Sequence, residues 1–346
     1  MTLRMPSKLR SNVTTSSSSS VTTPVTTRNT RAKLFNASLI IGVIAVAGLL
    51  ALSLLVGEYD IFGAADGGEI FQITRVPRTI ALVLAGAAMA MSGLVMQLLT
   101  QNRFVEPTTT GTTEWAGLGL MVTMLVAPQS SILVKMVIAV VFAFGGTMVF
   151  FLFLRKVALR SSLVVPLVGI MLGAVISSVT TFLAIGNNLL QTLGVWFQGS
   201  FTAVYKGQYE VLWLVLIVVI AVFFYADRLT VAGLGEHIAT NVGLNYQRIV
   251  LIGTGLIAIA TGVTTVVVGY LPFLGLIVPN IVSMWRGDDL RSNLPWVCLL
   301  GIALITVCDL IGRTIISPFE IPVSLILGII GAVVFVYLIL RSTKRA

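Results

Sequence analysis

The run LFNASLIIGVIAVAGLLALSLLV, residues 34–56, decides the fold class, because its 23 residues include no charged side chain. An α-helix needs about 20 apolar residues to cross the roughly 30 Å hydrocarbon core of a bilayer. A secretory signal would place its apolar core directly behind a short basic start, whereas this run begins only at Leu34. We therefore interpret residues 34–56 as a retained first membrane-spanning helix.

The composition of the whole chain extends this pattern. Of its 346 residues, 57% are hydrophobic and 10% are charged, whereas soluble domains have about 45–50% apolar and about 25% charged residues. The mean hydropathy is +1.01. These values exclude a cytosolic enzyme, a nucleic-acid-binding domain and a disordered chain. We expect an all-α, polytopic protein embedded in a lipid bilayer.

The N-terminal segment differs from the rest of the chain. Thirteen of the twenty residues from Ser11 to Thr30 are Ser or Thr, with no apolar periodicity. A segment of this composition cannot bury a core. We therefore predict a disordered cytoplasmic tail at residues 1–33, followed by a transmembrane domain at residues 34–346.

Further apolar runs predict about ten membrane-spanning helices. The eighth is short and is interrupted by Pro272 and Pro279, and a broken backbone at membrane depth is tolerated only inside protein or beside a water-filled cavity. The predicted spans are residues 34–57, 77–99, 110–127, 132–154, 162–185, 209–226, 247–269, 271–285, 294–312 and 321–340.

The basic residues predict the orientation of these spans. An even number of spans puts both termini on one side of the membrane. Without the distal tail, fourteen Lys and Arg residues fall on that side and five on the other. Cytoplasmic loops carry the excess of basic residues. We therefore expect a multi-pass protein of the cytoplasmic (inner) membrane with both termini in the cytoplasm.

The segment RVPRT, Arg75 to Thr79, places two arginines three positions apart at the start of the second span. A guanidinium binds a carboxylate through two parallel hydrogen bonds, so Arg75 and Arg78 are candidates for capturing acidic groups at the outer face. Alternatively, both side chains extend toward lipid phosphates. Because Arg78 is unfavourable at a helix N-terminus, we expect it to have a compensating partner.

The polar segment 227–248 contains GEHIATNVGLN at residues 235–245. This sequence predicts a short helix between two spans. The helix either lies in the membrane interface as an amphipathic element or docks a cytoplasmic partner. The residues that delimit and form it are Gly235, Glu236, Ala239 and Gly243.

Three further features lie in the predicted spans or directly at their ends. Asp309 and Arg313 are four residues apart, and near lipid each charge needs a partner. Glu114 is a carboxylate within a span and hence a functional candidate; the alternative is a hydrated or paired position near the cytoplasmic end. Gly169 and Gly173 form a G-x-x-x-G pattern, which allows close helix packing.

Four blocks of sequence resemble the FecCD-type permeases, the membrane subunits of ABC importers for iron-siderophores, haem and vitamin B12. The resemblance extends from about residue 34 to the C-terminus, and the blocks stand in the family's order. They are GAAMAMSGLVMQLLTQNRFVEPTTTGT (86–112), GEHIATNVGLN (235–245), PFLGLIVPNIV (272–282) and DLIGRTIISPFEIP (309–322).

The resemblance implies a BtuC-like fold of ten helices in two inverted five-helix halves. Two such subunits, identical or different, would surround a central pathway, with the fifth and tenth spans near it. Gly169, Gly173 and Glu114 are candidates for lining that pathway or for packing between subunits.

The resemblance also implies docking roles. Arg75, Arg78 and Arg313 would receive glutamates from the two lobes of an extracytoplasmic siderophore-binding protein. The short helix at residues 235–243 would be a coupling helix seated in a groove of a cytoplasmic ATP-binding subunit.

Some positions depart from the common family pattern. Residues 102–107 read NRFVEP where many members have N-P-L-A-x-P, and residues 278–282 read VPNIV where VPHI is frequent. These variants resemble the branch that takes up catecholate-type siderophores such as petrobactin. The expected cargo is therefore a ferric siderophore, favoured to be of the catecholate type.

The chain has no G-x-x-x-x-G-K-[ST] pattern for holding nucleotide phosphates. We therefore expect a permease that is not itself an enzyme, with ATP hydrolysis in a partner subunit and with no cofactor, metal site or nucleic-acid partner. Two alternatives stay open: a permease of the same family for haem or cobalamin, and a secondary transporter driven by an ion gradient.

Overall fold

The structure is a computed structural model that describes residues 37–57, 66–156, 164–287, 289–316 and 318–343. The predicted tail, residues 1–33, lies outside the described residues, so its disorder stays a prediction. Within the described ranges the regular elements are helical, apart from one isolated backbone bridge between Ile316 and Phe319. The all-α class is therefore confirmed.

Thirteen α-helices occur in the described part of the chain. A π-helical turn, Phe71–Arg75, joins α2 to α3, so that Gly67–Thr100 is one continuous helix of 34 residues. A 3-10 turn, Glu210–Leu212, leads into α8. The helices are α1 (Ala37–Leu55), α2 (Gly67–Ile70), α3 (Val76–Thr100), α4 (Thr112–Val126), α5 (Ile132–Lys156), α6 (Val164–Gly186), α7 (Leu190–Phe197), α8 (Trp213–Gly233), α9 (Glu236–Asn241), α10 (Tyr246–Val267), α11 (Leu274–Arg286), α12 (Leu290–Thr314) and α13 (Val323–Thr343).

Eight helical segments among the described residues are long and apolar enough to cross a membrane. They coincide with eight of the ten predicted spans. The predicted spans 110–127 and 271–285 are also helical, but α4 has 15 residues and α11 has 13. Both are shorter than the roughly 20 residues that a crossing requires. The structure therefore confirms a multi-pass helical protein, with eight segments of spanning length among the described residues, and the count of ten stays a prediction.

Helix α3 lies at the centre of the bundle, in contact with α1, α8, α10, α11 and α12. Its middle, AGAAMAMSG at residues 85–93, is rich in small side chains, which lets neighbouring backbones come close. At Gly93 a Cβ atom would lie 2.0 Å from the carbonyl oxygen of Gly275 on α11. Only glycine at position 93 permits this contact between α3 and α11.

The interrupted helix α11 is completed by side chains from α3 and the segment after it. Pro279 has no backbone N–H, so the carbonyl of Gly275 loses its usual helical donor. The amide nitrogen of Gln97 donates to that carbonyl oxygen at 3.3 Å. Asn280 donates to the carbonyl oxygen of Arg103 at 2.8 Å. A short, proline-containing helix is therefore held inside protein, as expected for the eighth predicted span.

The peripheral helices expose large apolar side chains. Only 11% of α1 and 22% each of the α6 and α13 spans is buried, whereas 78% of the continuous α2–α3 span is buried. Phe182 on α6 and Phe224 on α8 are 76% and 83% exposed. A surface of this kind needs lipid or another protein chain to cover it.

Candidate functional site

Charged side chains link the first turn of α3 to the end of α12 and to the segment before α13. Nη2 of Arg78 lies 2.7 Å from Oδ1 of Asp309, and Nη2 of Arg313 lies 2.9 Å from Oδ2 of Asp309. The carboxylate of Glu320 accepts hydrogen bonds from Nη1 and Nη2 of Arg78 at 2.9 and 2.8 Å. We call Arg78, Asp309, Arg313 and Glu320 the charge cluster.

The members of the charge cluster differ in their access to solvent. The side chain of Asp309 is 0% exposed, that of Arg313 6%, that of Arg78 14% and that of Glu320 29%. The expected partner for Arg78 is therefore present, and the expected pairing of Asp309 with Arg313 is confirmed. Glu320 is the one acidic member that reaches the surface, a feature that the sequence did not predict.

The carboxylate of Glu320 is ionised at neutral pH. Burial by itself raises the pKa of Glu320, but the hydrogen bonds and charge of Arg78, the hydroxyl of Thr202 and the charge of Arg313 hold that pKa below its ordinary value. The Thr202 hydroxyl donates to Oε2 of Glu320 at 2.6 Å. The stabilisation from this contact is present above the ordinary pKa of a glutamate and is lost as the pH falls through the lowered value.

Two of the predicted docking arginines hold the end of α1. Arg75 is 8% exposed, and its Nη1 donates to the carbonyl oxygens of Leu54 and Leu55 at 3.1 and 3.0 Å. Nη1 of Arg313 donates to the carbonyl oxygen of Val56 at 2.8 Å. The last carbonyls of a helix lack intrahelical donors and attract cations. Arg75 and Arg313 therefore cap α1, which sequence analysis did not predict.

The predicted short helix is present as α9. Gly235 and Gly243 lie on either side of it with φ of +113° and +80°, a backbone conformation that glycine adopts far more easily than other residues. Ala239 is buried beneath the helix, and Glu236 is exposed. The glycine spacing in this segment therefore has a backbone cause.

An apolar stripe runs along the exposed face of α9 and its flanks. Leu234, Ile238 and Val242 are 60%, 48% and 65% exposed. Ile238 lies on the six-residue helix α9, whereas Leu234 and Val242 lie on the residues that flank it. Together these three exposed aliphatic side chains form a surface suited to contact with another apolar surface.

The charge cluster and α9 lie at opposite ends of α3. Arg78 is in the first turn of α3, whereas a Cβ atom on Gly235 would lie 3.2 Å from the side-chain nitrogen of Gln101, the residue after α3. The 25 residues of α3 at 1.5 Å rise per residue span about 37 Å, more than the thickness of the hydrocarbon core. The two features are therefore placed to face opposite sides of a membrane.

The two glycines of α6 face the segment between α3 and α4 of the same chain. A Cβ atom on Gly169 would lie 2.1 Å from the carbonyl oxygen of Thr109, and one on Gly173 would lie 3.3 Å from Cα of Gly111. The carboxyl carbon of Glu114 would lie 3.4 Å from the same added atom on Gly173. The glycine face of α6 is thus occupied by packing within the chain, with Glu114 at its edge.

Glu106 is a buried residue whose role sequence analysis missed. Its Oε1 accepts the N–H of Phe273, 167 positions along the chain, at 2.7 Å, and the hydroxyl of Thr108. Phe273 immediately precedes α11, so Glu106 caps that helix. Burial raises the pKa of Glu106 to about 7, although both hydrogen bonds act to lower it. The one sequence feature that pointed to this residue was the departure from the N-P-L-A-x-P motif at residues 102–107. That departure does not indicate which residue Glu106 contacts.

The described residues hold no group of three or more His, Cys, Asp or Glu arranged for a metal ion. A cavity of about 220 Å³ beside α9 is lined mainly by apolar side chains of α5 and α10. Gln101, Arg155 and Glu236 stand among its polar residues.

A bundle of apolar helices, with a buried charge cluster at one end of α3 and the exposed short helix α9 at the other, defines a multi-pass membrane protein. The chain belongs to the FecCD transport family, which it matches over residues 31–341. It is 60% identical to the petrobactin import system permease protein FatD of Bacillus anthracis over 312 residues, which cover 90% of this chain and 93% of that protein.

A second relative and a solved structure agree with this assignment. The petrobactin import system permease protein YclN of Bacillus subtilis is 45% identical over 273 residues, covering 79% of this chain and 86% of that protein. A metal-chelate type ABC transporter solved in an inward-facing conformation superposes with a TM-score of 0.76 at 23% identity, covering 88% of this chain and 99% of that chain. The structural match supports the BtuC-like fold.

Proposed function

We propose that this chain is the membrane-spanning permease subunit of an ABC importer that moves a ferric siderophore across the cytoplasmic membrane. The observation that carries the proposal is the placement of a guanidinium–carboxylate cluster and an exposed apolar helix at the two ends of α3. Relatives named for petrobactin import favour a catecholate-type cargo, and ferric petrobactin is the first candidate.

The inner end of the permease is α9. Its exposed stripe, Leu234, Ile238 and Val242, fits a groove on a cytoplasmic ATP-binding subunit. The energy of ATP hydrolysis, supplied by that separate subunit, would then reach the membrane helices through α9 and Gln101 at the end of α3. With α9 in the cytoplasm, the chain's two termini lie in the cytoplasm as well.

The outer end is the region of Arg75, Arg78 and Arg313, which would receive acidic side chains of an extracytoplasmic siderophore-binding protein. Arginine suits this task because it binds carboxylates bidentately. An exposed apolar group beside the charge cluster, with Ile316 53% and Phe319 74% exposed, adds a surface typical of protein interfaces.

A second permease subunit, identical or related, completes the pathway. The candidates for this contact are the fifth and tenth predicted spans, α6 and α13, because both expose apolar stripes, including Met171 and Val175 on α6 and Ile329 and Val333 on α13. Glu114, Gly169 and Gly173 would then lie behind the pathway face of α6.

In this arrangement α4 and α11, each extended by buried flanking segments, complete ten crossings in two inverted five-helix halves.

Uptake of radioactive iron tests the proposal. A strain lacking this chain should fail to accumulate iron from ferric petrobactin and should recover when the chain is restored, with haem and cobalamin uptake unchanged. Loss of the ATP-binding subunit should abolish the same uptake. Iron accumulation that is normal without this chain, or a defect confined to haem or cobalamin, would contradict the proposed cargo.

A further inference from the structure

The donors of Arg78 are already occupied in the undocked chain. A guanidinium offers five N–H groups in a fixed plane. Nε and Nη2 of Arg78 contact Oδ1 of Asp309 at 3.2 and 2.7 Å, and Nη1 and Nη2 contact the two oxygens of Glu320 at 2.9 and 2.8 Å. A carboxylate from a partner therefore finds no free pair of donors, and one of the two internal carboxylates must leave first.

Asp309 is poorly suited to leave. Its side chain is 0% exposed, and Oδ2 also pairs with Arg313 at 2.9 Å. Its departure would leave the buried guanidinium of Arg313 without its paired carboxylate and would leave Arg78 with Glu320 alone, and an uncompensated buried charge is strongly destabilising. Asp309 therefore positions Arg78 and stays in place.

Glu320 is suited to leave. Its side chain is 29% exposed and it pairs with one arginine only. It lies on the short segment between α12 and α13, beside the exposed side chain of Phe319. When a partner's carboxylate takes the place of Glu320, the number of charge-assisted hydrogen bonds to Arg78 stays the same. The displaced carboxylate of Glu320 is then hydrated by water. The exchange therefore costs far less than opening a closed ion pair.

The other two docking candidates are tied to the end of α1. Arg75 and Arg313 donate to backbone carbonyls at the end of α1, and both side chains are buried. To free either group, the end of α1 would have to separate from α3 or α12. Within this region, Arg78 is therefore the arginine that accepts a new carboxylate most easily.

We propose that Glu320 is an internal stand-in for an acidic side chain of the docking protein. It holds the open edge of Arg78 while no partner is bound, and the partner's carboxylate displaces it. Displacement releases Glu320 from Arg78, so docking changes the contacts of the residues that lead into α13. This inference rests on the proposed function, because it assumes that the cluster faces a docking protein.

The test measures the accessibility of Arg78 in the full chain embedded in nanodiscs of neutral lipid. Phenylglyoxal modifies accessible arginines, and mass spectrometry gives its rate at Arg78. Glu320→Gln keeps the size of the side chain but removes the competing charge. The rate should rise about five-fold, as expected when a competent state is released from a weak competing contact. A hexaglutamate peptide, but not hexaglutamine, should slow the reaction again in this variant.

Two further variants separate this effect from a general disturbance. Thr202→Val removes the hydroxyl that donates to Glu320 but leaves both charges, and it should raise the rate by a smaller factor. Glu210→Gln is the control, because Glu210 accepts a backbone N–H from Gly207 at 2.7 Å, has no contact with the cluster, and should leave the rate unchanged.

The inference is overturned if Arg78 reacts at the wild-type rate in both Glu320→Gln and Thr202→Val. The reaction is repeated in nanodiscs that contain anionic lipid. The inference is equally overturned if Glu320→Gln accelerates the reaction in neutral lipid and anionic lipid protects Arg78 but hexaglutamate does not, since a lipid phosphate would then be the ligand. This assay requires no transport and no binding protein. Its failure is therefore separate from a failure of the iron-uptake experiment, which tests the function itself.

Discussion

At the scale of single residues, Asp309 is a fully buried carboxylate that pairs with two arginines. One fully buried carboxylate stands between Arg78 and Arg313, at 2.7 and 2.9 Å. In and near the membrane a charged side chain needs a partner, because neither lipid nor packed protein can solvate it. Asp309 thus links α3 and α12 where the docking surface is proposed.

Replacing Asp309 by Asn should destabilise the chain strongly. The change leaves two buried guanidinium groups without their shared counter-ion, at a cost of roughly 3 kcal/mol or more. Thermal unfolding of the purified chain in detergent measures the loss. The matched control is Asp227→Asn, since Asp227 pairs with Arg291 at 3.1 Å on the surface, with side chains 72% and 64% exposed, and should have little effect. Equal melting of the two variants would contradict this reading of Asp309.

The capping residue Glu106 gives the fold a pH dependence near neutrality. Its pKa is raised from 4.5 to about 7 in the folded chain, so between these values the folded state holds a proton that the unfolded state releases. The contribution of Glu106 to stability therefore falls as the pH rises from 4.5 to about 7. Glu106→Gln should lack this part of the pH dependence. Melting curves from pH 4.5 to 8 that run parallel for both proteins would disprove the assignment.

Sequence reasoning succeeded at this scale where the signal was local. The pairing of Asp309 with Arg313 follows from their spacing of four residues, and the need of Arg78 for a partner follows from its place at a helix start. It could not find Glu320 or Glu106 as partners, because their contacts join positions 242 and 167 residues apart. No periodicity in a single sequence reports such a contact.

At the scale of elements, α6 illustrates how a packing motif can be read in two ways. The G-x-x-x-G pattern predicted a close contact but not its partner. In the structure the closest approach is to the segment between α3 and α4 of the same chain, and the two glycines differ in how tightly they are packed. That difference provides an internal control.

Alanine at Gly169 should be far more harmful than alanine at Gly173. The added methyl at position 169 would lie 2.1 Å from a backbone oxygen, whereas at position 173 its nearest neighbour would be at 3.3 Å. Overpacking of a rigid contact costs about 1–3 kcal/mol or more. Thermal unfolding and expression yield should both fall for Gly169→Ala and remain near wild type for Gly173→Ala. The reverse order would mean that the glycines serve another contact.

The exposed stripe of α9 allows a matched test of coupling. Val242→Asp places a charge on the stripe and should sharply reduce co-purification of the ATP-binding subunit and siderophore uptake. Val126→Asp is the same change at the opposite end of the molecule, where Val126 is 80% exposed against 65% for Val242. The control should retain assembly. If both variants assemble normally, α9 is not the coupling helix and its stripe contacts lipid instead.

Most elements were predictable because apolar runs of more than about 18 residues have few alternatives to a membrane-spanning helix. The exceptions, α4 and α11, are instructive. Their apolar runs suggested full spans, but α11 cannot begin before Phe273, which has a left-handed backbone with φ of +63°. Its start depends on Glu106 and on the close contact with Gly93, which are tertiary features.

At the scale of the whole molecule, the charge cluster and α9 lie about one membrane thickness apart, at the two ends of a single buried helix. If α9 docks the ATP-binding subunit as proposed, force applied to it near Gln101 would act on the same helix that carries Arg78. The family resemblance in the sequence predicted a docking role for each of these two regions, and those roles stay predictions. It did not predict that Arg75, Arg78 and Arg313 would form hydrogen bonds within the chain. A family resemblance indicates the role of a residue but does not give its hydrogen-bond partners.

The proposed function makes transport by this permease depend on ATP hydrolysis in a partner subunit. The most direct measurement is iron-siderophore transport in proteoliposomes that hold the chain alone or together with its second permease, ATP-binding and binding-protein partners. Iron-siderophore should accumulate only in the complete assembly and only with ATP on the α9 side. Uphill transport by this chain alone, driven by an imposed ion gradient, would contradict it.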